Sequence, residues 1–278
     1  MIIDLHVHSN ASDGTLSPSE VVIHAKEKGL SAISLTDHDT VKGLDEATEA
    51  GALYQVEIIP GIELSADFPN DNLHILGYYI NFKDPVFQKK LQPIQDGRKI
   101  RNATMTENLN KLGFEISIEE GSTIITRAHY AKALYEGGYV SSLDEAFKLY
   151  LTPGKPGYVK RITPNPKECI DIIHSGGGVA FLAHPTLYGL KAPELTKLIQ
   201  QLAKDGLDGI EVMHSRHSHQ DEVFLRDLAT KNNLIISGGS DFHGSNKPNL
   251  EIATGYGNLK IPYSILENIK NKAEEQNG

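Results

Sequence analysis

The sequence predicts an α/β fold, a barrel of strand-helix units carrying an inserted helical subdomain, and three observations predict it. Short apolar runs alternate with capped helical stretches along most of the chain. Loops rich in histidine and acidic residues follow the strands at their carboxyl ends, as on the catalytic rim of a barrel. Residues 93–164 break the alternation: they keep helical periodicity but hold no strand of comparable quality. The expected division is therefore a first barrel part over 1–92, a helical lid over 93–164 and a second barrel part over 165–278.

In order, the first eight residues read as a short strand on which Asp4, His6 and His8 alternate with Leu5 and Val7, so the polar groups share one face. A turn-rich loop carries Asp13, and Ser17-Pro18-Ser19-Glu20 is a capping box with proline at the first helical position. Leu30 to Leu35 is a buried strand ending in the polar loop Thr36-Asp37-His38-Asp39-Thr40, and Gly43 to Tyr54 is a helix. Val56 to Ile59 is a third strand leading through Pro60-Gly61 to Glu63, and Leu73 to Ile80 a fourth that carries His74. Helical stretches then cover Arg98 to Leu112, Arg127 to Glu136 and Ser142 to Leu151. Asn165-Pro166-Lys167-Glu168 opens another capped helix. Val179 to Ala183 is a strand delivering His184, Gly209 to Met213 one followed by His214, His217 and His219, and Leu234 to Ser237 one followed by Asp241 and His243. The intervening helices run from Pro193 to Asp205 and Gln220 to Asn232, and the last begins near Pro262.

Composition narrows the function classes. Over 278 residues, 39% are hydrophobic and 23% charged, which suits one large globular unit. A net charge of -9 argues against a general nucleic-acid or anionic-membrane coat and permits small substrates held at a local positive site. That positive site is expected in the insertion, where Arg98 to Arg161 holds ten Lys and Arg against seven Asp and Glu. One cysteine, Cys169, excludes an internal disulfide, no apolar stretch is long enough to cross a membrane, and the chain starts without a leader-like segment. A cytoplasmic location is expected.

The polar residues at strand ends are His6, His8, Asp13, His38, Glu63, His74, His184, Asp241 and His243. Nine nitrogen and oxygen donors without a thiolate are too many for one tetrahedral ion and suit two or three divalent metals, with a carboxylate such as Glu63 able to bridge two. Such a cluster lowers the pKa of a shared water, giving a bridging hydroxide, and neutralises charge on a phosphoryl group. Phosphoester hydrolysis without a covalent intermediate is the predicted chemistry. Asp4 and Asp37 lie near these histidines and are expected to orient them, Asp37 being counted with His217 among the catalytic residues. His214 and His219 read as solvated loop residues.

These motifs resemble the polymerase and histidinol phosphatase (PHP) family: Asp4-Leu5-His6-Val7-His8, Thr36-Asp37-His38-Asp39, Pro60-Gly61-Ile62-Glu63, Leu73-His74, Ala183-His184-Pro185 and Gly239-Ser240-Asp241-Phe242-His243-Gly244. The resemblance implies a distorted (β/α)7 barrel using manganese, zinc or iron. It implies one metal at His6, His8, Glu63 and Asp241, a second at Glu63, His74 and His184, and a third at Asp13, His38 and His243, with Asp13 standing where many relatives have histidine. The run from Glu211 to His217 is similar to the family's E-V-Y-x-x-x-H segment, with Met213 in place of tyrosine, and implies that His217 binds substrate or protonates the leaving oxygen.

Within the family, Gly97-Arg98-Lys99-Ile100-Arg101, Thr126-Arg127-Ala128-His129 and Pro156-Gly157-Tyr158-Val159 are similar to a branch of nucleoside 3',5'-bisphosphate phosphatases and 5'-to-3' exoribonucleases. Arg101 and Arg127 fit a second, non-reacting phosphate, with Arg98 and Tyr158 as further substrate contacts. Adenosine 3',5'-bisphosphate, leaving AMP, is the leading substrate and short 5'-phosphorylated RNA the alternative. Histidinol phosphate has one phosphate and fits the paired arginines less well. Two other classes stay open, an amidohydrolase and a non-catalytic metal-holding module.

Overall fold

Reciprocal side-chain and backbone bonds start the helices where the spacing predicts them. Ser17 accepts the N–H of Glu20 while Glu20 accepts the N–H of Ser17, which opens α1 (Pro18–Glu27), and Asn165 with Glu168 opens α6 (Pro166–Ser175) in the same way. The computed structural model describes residues 1–69, 71–116, 118 and 124–278, and of Asp71 and Asn72 only the backbone. Glu119 and Glu120, counted in the charge of the insertion, lie outside the described residues.

The strands are β1 (Ile2–Val7), β2 (Leu30–Leu35), β3 (Glu57–Phe68), β4 (Asp71–Tyr78), β5 (Val179–Leu182), β6 (Gly209–His214), β7 (Ile235–Gly239) and β8 (Ile261–Pro262). They form one sheet in the order β7-β6-β5-β4-β3-β2-β1-β8. The sheet curls until the segment after β7 meets β1, where the N–H of His8 donates to the Phe242 carbonyl at 2.9 Å and the N–H of Asp241 to the His6 carbonyl at 2.8 Å. Gly239 permits this approach, because a Cβ there would lie 2.1 Å from the Cβ of His6. The result is a nearly closed barrel.

Uniform strand-helix alternation fails at one place. After pairing in parallel with β2, β3 runs on past Glu63 to Phe68 and returns directly as antiparallel β4. Two residues separate these strands, far fewer than the dozen or so that a parallel crossover requires. Glu63 and His74 therefore sit inside a hairpin, which corrects the expectation that both stand at strand ends. The β4 strand also pairs antiparallel with β5, and the two-residue β8 caps β1 in the antiparallel sense.

Helices α1, α2 (Leu44–Tyr54), α6, α7 (Ala192–Lys204) and α8 (His219–Lys231) bury residues such as Val21, Ala47, Ile173, Ile199 and Leu225 in one cluster against the sheet. A second cluster joins Ile3, Leu5, Leu76 and Phe181 of the strands to Leu266 and Ile269 of α9 (Ser264–Asn277).

Between β4 and β5 the chain is helical, but its first helix is longer than expected. The α3 helix (Pro85–Lys111) is capped by Asp84 and continues through Pro93, so the expected boundary at residue 93 falls within it. Its first turns place Phe87, Leu91 and Ile94 in the sheet-helix core, while Met105 and Leu109 join a separate cluster with Tyr130 and Leu134 of α4 (Arg127–Glu136) and with Leu151. One helix thus ties the insertion to the barrel. The last expected helix is short α5 (Leu143–Ala146) running into a π-helical turn, Phe147–Leu151, an irregularity often found beside functional sites.

Candidate metal centre

Glu63 is buried at the meeting point of β2, β3 and β4, and both its oxygens face imidazoles. Its Oε2 lies 3.4 Å from His6 Nε2, 3.3 Å from His8 Nε2 and 3.0 Å from His38 Nδ1. Its Oε1 lies 2.9 Å from His74 Nδ1 and 3.1 Å from His184 Nε2. Asp241 adds Oδ1 at 3.6 Å from His6 and 3.5 Å from His8, and His6 Nε2 stands 3.1 Å from His8 Nε2. On the other side Asp13 reaches His243 at 3.3 Å, His38 at 3.7 Å and His8 at 3.8 Å. All nine residues singled out as ligands meet at one end of the barrel.

Three overlapping groups have donor spacing fit for a cation: His6, His8 and Asp241; His38, Glu63 and His74; and His8, Asp13, His38 and His243. This partition differs slightly from the expected one. His8 and His38 each reach into a second group, because adjacent rings at the mouth of a closed sheet share the same small space.

The chemistry of these donors fits divalent cations. His8 Nδ1, His38 Nδ1, His184 Nδ1 and Glu63 Oε2 are buried without a hydrogen-bond partner, a costly state for a polar atom unless a ligand meets it. Burial pushes the pKa of His38 down to about 4, and burial with the neighbouring His243 pushes that of His8 well down, so both rings are held neutral with a lone pair to offer. Burial would raise the pKa of Glu63, but His74, His38 and His6 outweigh it and keep the carboxylate ionised. At His6 burial is outweighed by Glu211, Glu63 and Asp241, which together favour positive charge at that point. Asp241 and His184 have φ of 60° and 28°, left-handed values that a non-glycine residue holds only when its surroundings impose them.

Several expected roles need correction. The side chain of Asp37 orients no histidine: it accepts from Ser9 N and Oγ at 2.8 and 2.7 Å and from Ser12 Oγ, and so fixes the loop that carries Asp13. Asp4 likewise accepts backbone N–H groups, from Ser240, Ala253 and His6, and ties β1 to the loop after β7. His214 is no solvated loop residue. It ends β6, is wholly buried, and lies 3.6 Å from Asp241 Oδ2, on which Lys247 Nζ also rests. His219 opens α8 and is exposed, as expected. His217 is buried with Nδ1 at 2.8 Å from the Val212 carbonyl, so its proton sits on Nδ1 and its Nε2 is a partnerless acceptor. Burial lowers its pKa.

Beside the cluster is a cavity of about 170 Å³ whose walls include Asp13, His38 and His74 on the barrel side and Arg98, Arg101, Arg127 and Arg161 on the insertion side. Arg98 is paired to Asp39, as is Arg161 Nη1 at 2.7 Å, and Asp39 is further bonded by Ser65 N at 2.9 Å. Arg101 donates to Asn102 Oδ1 at 2.8 Å, and burial together with Arg98, Arg161 and Arg127 pulls its pKa down to about 9. The Arg127 guanidinium lies 5.8 Å from the centre of the Tyr158 ring. The expected substrate contacts Arg98, Arg101, Arg127 and Tyr158 therefore form one region with His38 and His74, while His217 stands apart beside His214, at 5.1 Å between ring centres.

Three residues of the site received no role from the sequence. Glu211, Asp39 and Arg161 are buried and charged. A carboxylate within the apolar run Gly209-Ile210-Glu211-Val212 is itself a signal, because a buried charge needs a partner. Nothing near Arg161 in the sequence points to Asp39, which is 122 residues away.

The PHP domain model matches residues 4–162 of this chain. A 5'-3' exoribonuclease of Haemophilus influenzae is 36% identical over 244 residues, covering 86% of this chain and 89% of its own. A 3',5'-nucleoside bisphosphate phosphatase of Chromobacterium violaceum is 34% identical over 247 residues, covering 87% of each. A solved Chromobacterium violaceum structure described as an amidohydrolase with bound sulfate and no metal superposes with a TM-score of 0.85 at 32% identity, over 99% of this chain and 97% of its own. Among the described residues no helix is long and apolar enough to cross a membrane.

Proposed function

The chain belongs to the PHP domain family and is a metal-dependent phosphoesterase, and from that premise we propose that it removes the 3'-phosphate of nucleoside 3',5'-bisphosphates such as adenosine 3',5'-bisphosphate, releasing AMP. The carrying observation is the cavity that joins the histidine and carboxylate cluster to four arginines, two of which, Arg98 and Arg161, are paired to Asp39. One phosphate would sit at the cluster and the other among the guanidinium groups.

His6, His8, Glu63 and Asp241 are proposed to hold one cation, Glu63 with His74 and His184 a second, and Asp13 with His38 and His243 a third, His8 and His38 standing close enough to serve neighbouring positions. Manganese, zinc and iron all suit such nitrogen and oxygen donors. Bound there, the cations supply Lewis acidity, which makes a water nucleophilic near neutral pH and draws charge from the phosphoryl oxygens. The chain does the rest. Arg101 and Arg127 grip the second phosphate and so orient the ester toward the cluster, and Tyr158 backs Arg127. Arg98 and Arg161, anchored on Asp39, close the wall against water. His217, whose Nδ1 is taken by the Val212 carbonyl, stands outside this cavity beside His214 and is given no step in this reading. The helical segment within residues 93–164 serves as the lid. A cytoplasmic location suits a chain whose one cysteine, Cys169, is buried and free.

A second reading has specific support, since relatives of similar identity are named 5'-3' exoribonucleases. There the same arginines would hold the 5'-phosphate of a short RNA. Amidohydrolase chemistry, despite the sulfate-bound neighbour so described, is less well served, because none of β3, β4 or β5 carries the lysine those sites use. A sulfate is in any case a tetrahedral dianion with the shape of a phosphoryl group. Histidinol phosphate would leave the arginine pocket without a partner, and a non-catalytic metal-holding module would have no use for it.

The deciding experiment measures kcat/KM for a nucleoside 3',5'-bisphosphate, a 5'-mononucleotide and a 5'-phosphorylated dinucleotide with manganese present. The bisphosphate is expected to lead by about tenfold or more, the worth of one charge-assisted phosphate contact. Faster turnover of the dinucleotide would move the assignment to the exoribonuclease.

A further inference from the structure

The ring of His6 has two nitrogens, and only one can face the cation positions. Its Nε2 lies 3.1 Å from His8 Nε2 and 3.4 Å from Glu63, so Nδ1 points away, and it meets Oε1 of Glu211 at 3.0 Å. Glu211 stands in the middle of β6 and is wholly buried. Its other oxygen, Oε2, accepts the backbone N–H of His184 at 2.7 Å. His184 is the residue at φ 28°, and from that backbone its Nε2 reaches Glu63 at 3.1 Å. One carboxylate on a strand that supplies no ligand therefore holds two members of the cluster, one on β1 and one in the turn after β5.

We propose that Glu211 is a positioning residue of the metal centre, an inference that rests on the metal-centre reading above. It fixes His6 as the Nδ1–H tautomer, leaving the Nε2 lone pair for a cation, and it pins the His184 backbone so that the imidazole meets Glu63. The two tasks need an acceptor at both ends of the side chain. A carboxylate has one at each oxygen, whereas a carboxamide accepts at one end and donates at the other. Glutamine at this position must present an N–H either to the His184 N–H, setting two buried donors against each other, or to His6 Nδ1. The second arrangement makes Nδ1 the acceptor and moves the ring proton to Nε2, where it occupies the lone pair the cation needs. Size and burial hardly change, which separates positioning from packing.

The test titrates metal-stripped wild type and Glu211→Gln with Zn2+ by calorimetry, and reads the histidine ring protons of the zinc-loaded wild type by 15N NMR. His6 is expected to carry its proton on Nδ1. The variant is expected to bind zinc about 10–100-fold more weakly with unchanged far-ultraviolet circular dichroism, the usual loss when the group behind a ligand histidine is removed. A His6 proton on Nε2 in the loaded wild type, or a variant affinity within about twofold of wild type, would overturn the proposal. The wild-type spectrum decides alone if the variant fails to fold. A wild type that takes up no zinc would instead defeat the metal-centre reading before any variant is compared.

Discussion

At Arg101 a buried guanidinium sits beside three others, and burial together with those neighbours lowers its pKa to about 9. An incoming phosphate relieves the repulsion, so binding at this point is driven by the neighbours as much as by direct contact. Arg101→Ala should raise KM for a 3',5'-bisphosphate about tenfold or more while changing KM for a monophosphate ester little, as steady-state kinetics on both substrates would show. An equal effect on the two would sink the second-phosphate pocket. The arginines of this pocket were legible in the sequence only where a motif carried them. Arg98, Arg101 and Arg127 stand in recognisable segments, but Arg161 acquires meaning through Asp39 and Ser65, which the fold alone brings near. The metal-ligand candidates were legible for a different reason. A single histidine or acid at the end of an apolar run is more often a satisfied polar group, whereas nine of them on one rim point to a shared ligand. Roles that depend on where an oxygen points were not legible. Asp37 turned out to brace a serine loop and Glu211 to brace two histidines, and residue type with spacing does not distinguish these.

At the scale of elements, Asp39 is where the insertion is fastened to the barrel. Arg98 comes from α3 and Arg161 from the segment returning to α6, and both end on one carboxylate in the loop between β2 and α2. Gln95 of α3 adds a bond to the Asp39 carbonyl at 3.1 Å. Removing the acid leaves two buried cations uncompensated, so Asp39→Asn should destabilise the protein by about 3–5 kcal/mol. Adding Arg161→Met should restore part of that loss, because the second change removes one of the stranded charges. Urea denaturation of the two single variants and the double variant checks this, and strictly additive losses would show that the groups are not coupled. The same elements mark where sequence periodicity stops being informative. Alternation located most strands to within a few residues, but it gives no strand direction, and the β3–β4 hairpin was missed because Glu63 reads as a strand end. Likewise Pro93 reads as a helix boundary, yet α3 passes through it because Phe87, Leu91 and Ile94 hold the preceding turns on the sheet core.

For the whole molecule, the closed end of the barrel concentrates a cost that bound cations would remove. Five imidazoles within 3.4 Å of one carboxylate, and buried ring nitrogens without partners, mean that folding alone leaves this rim unsatisfied. The unfolded chain pays nothing of the kind, since its histidines and acids are solvated and dispersed. A cation that binds the folded state therefore stabilises it by mass action, about 2.7 kcal/mol at a free concentration one hundred times the dissociation constant. For a domain of this size that corresponds to a rise in Tm of roughly 5 °C. Differential scanning fluorimetry of chelator-stripped protein with added Mn2+ or Zn2+ should show that rise, and turnover should return with it. Glu63→Gln should melt near the stripped wild type, gain much less from either metal and lose turnover, because the carboxylate common to the cluster can no longer accept at both oxygens. If the stripped and reloaded wild type melted together, the rim would not be a metal centre, and the residues gathered there would need another account of why they are buried as a group.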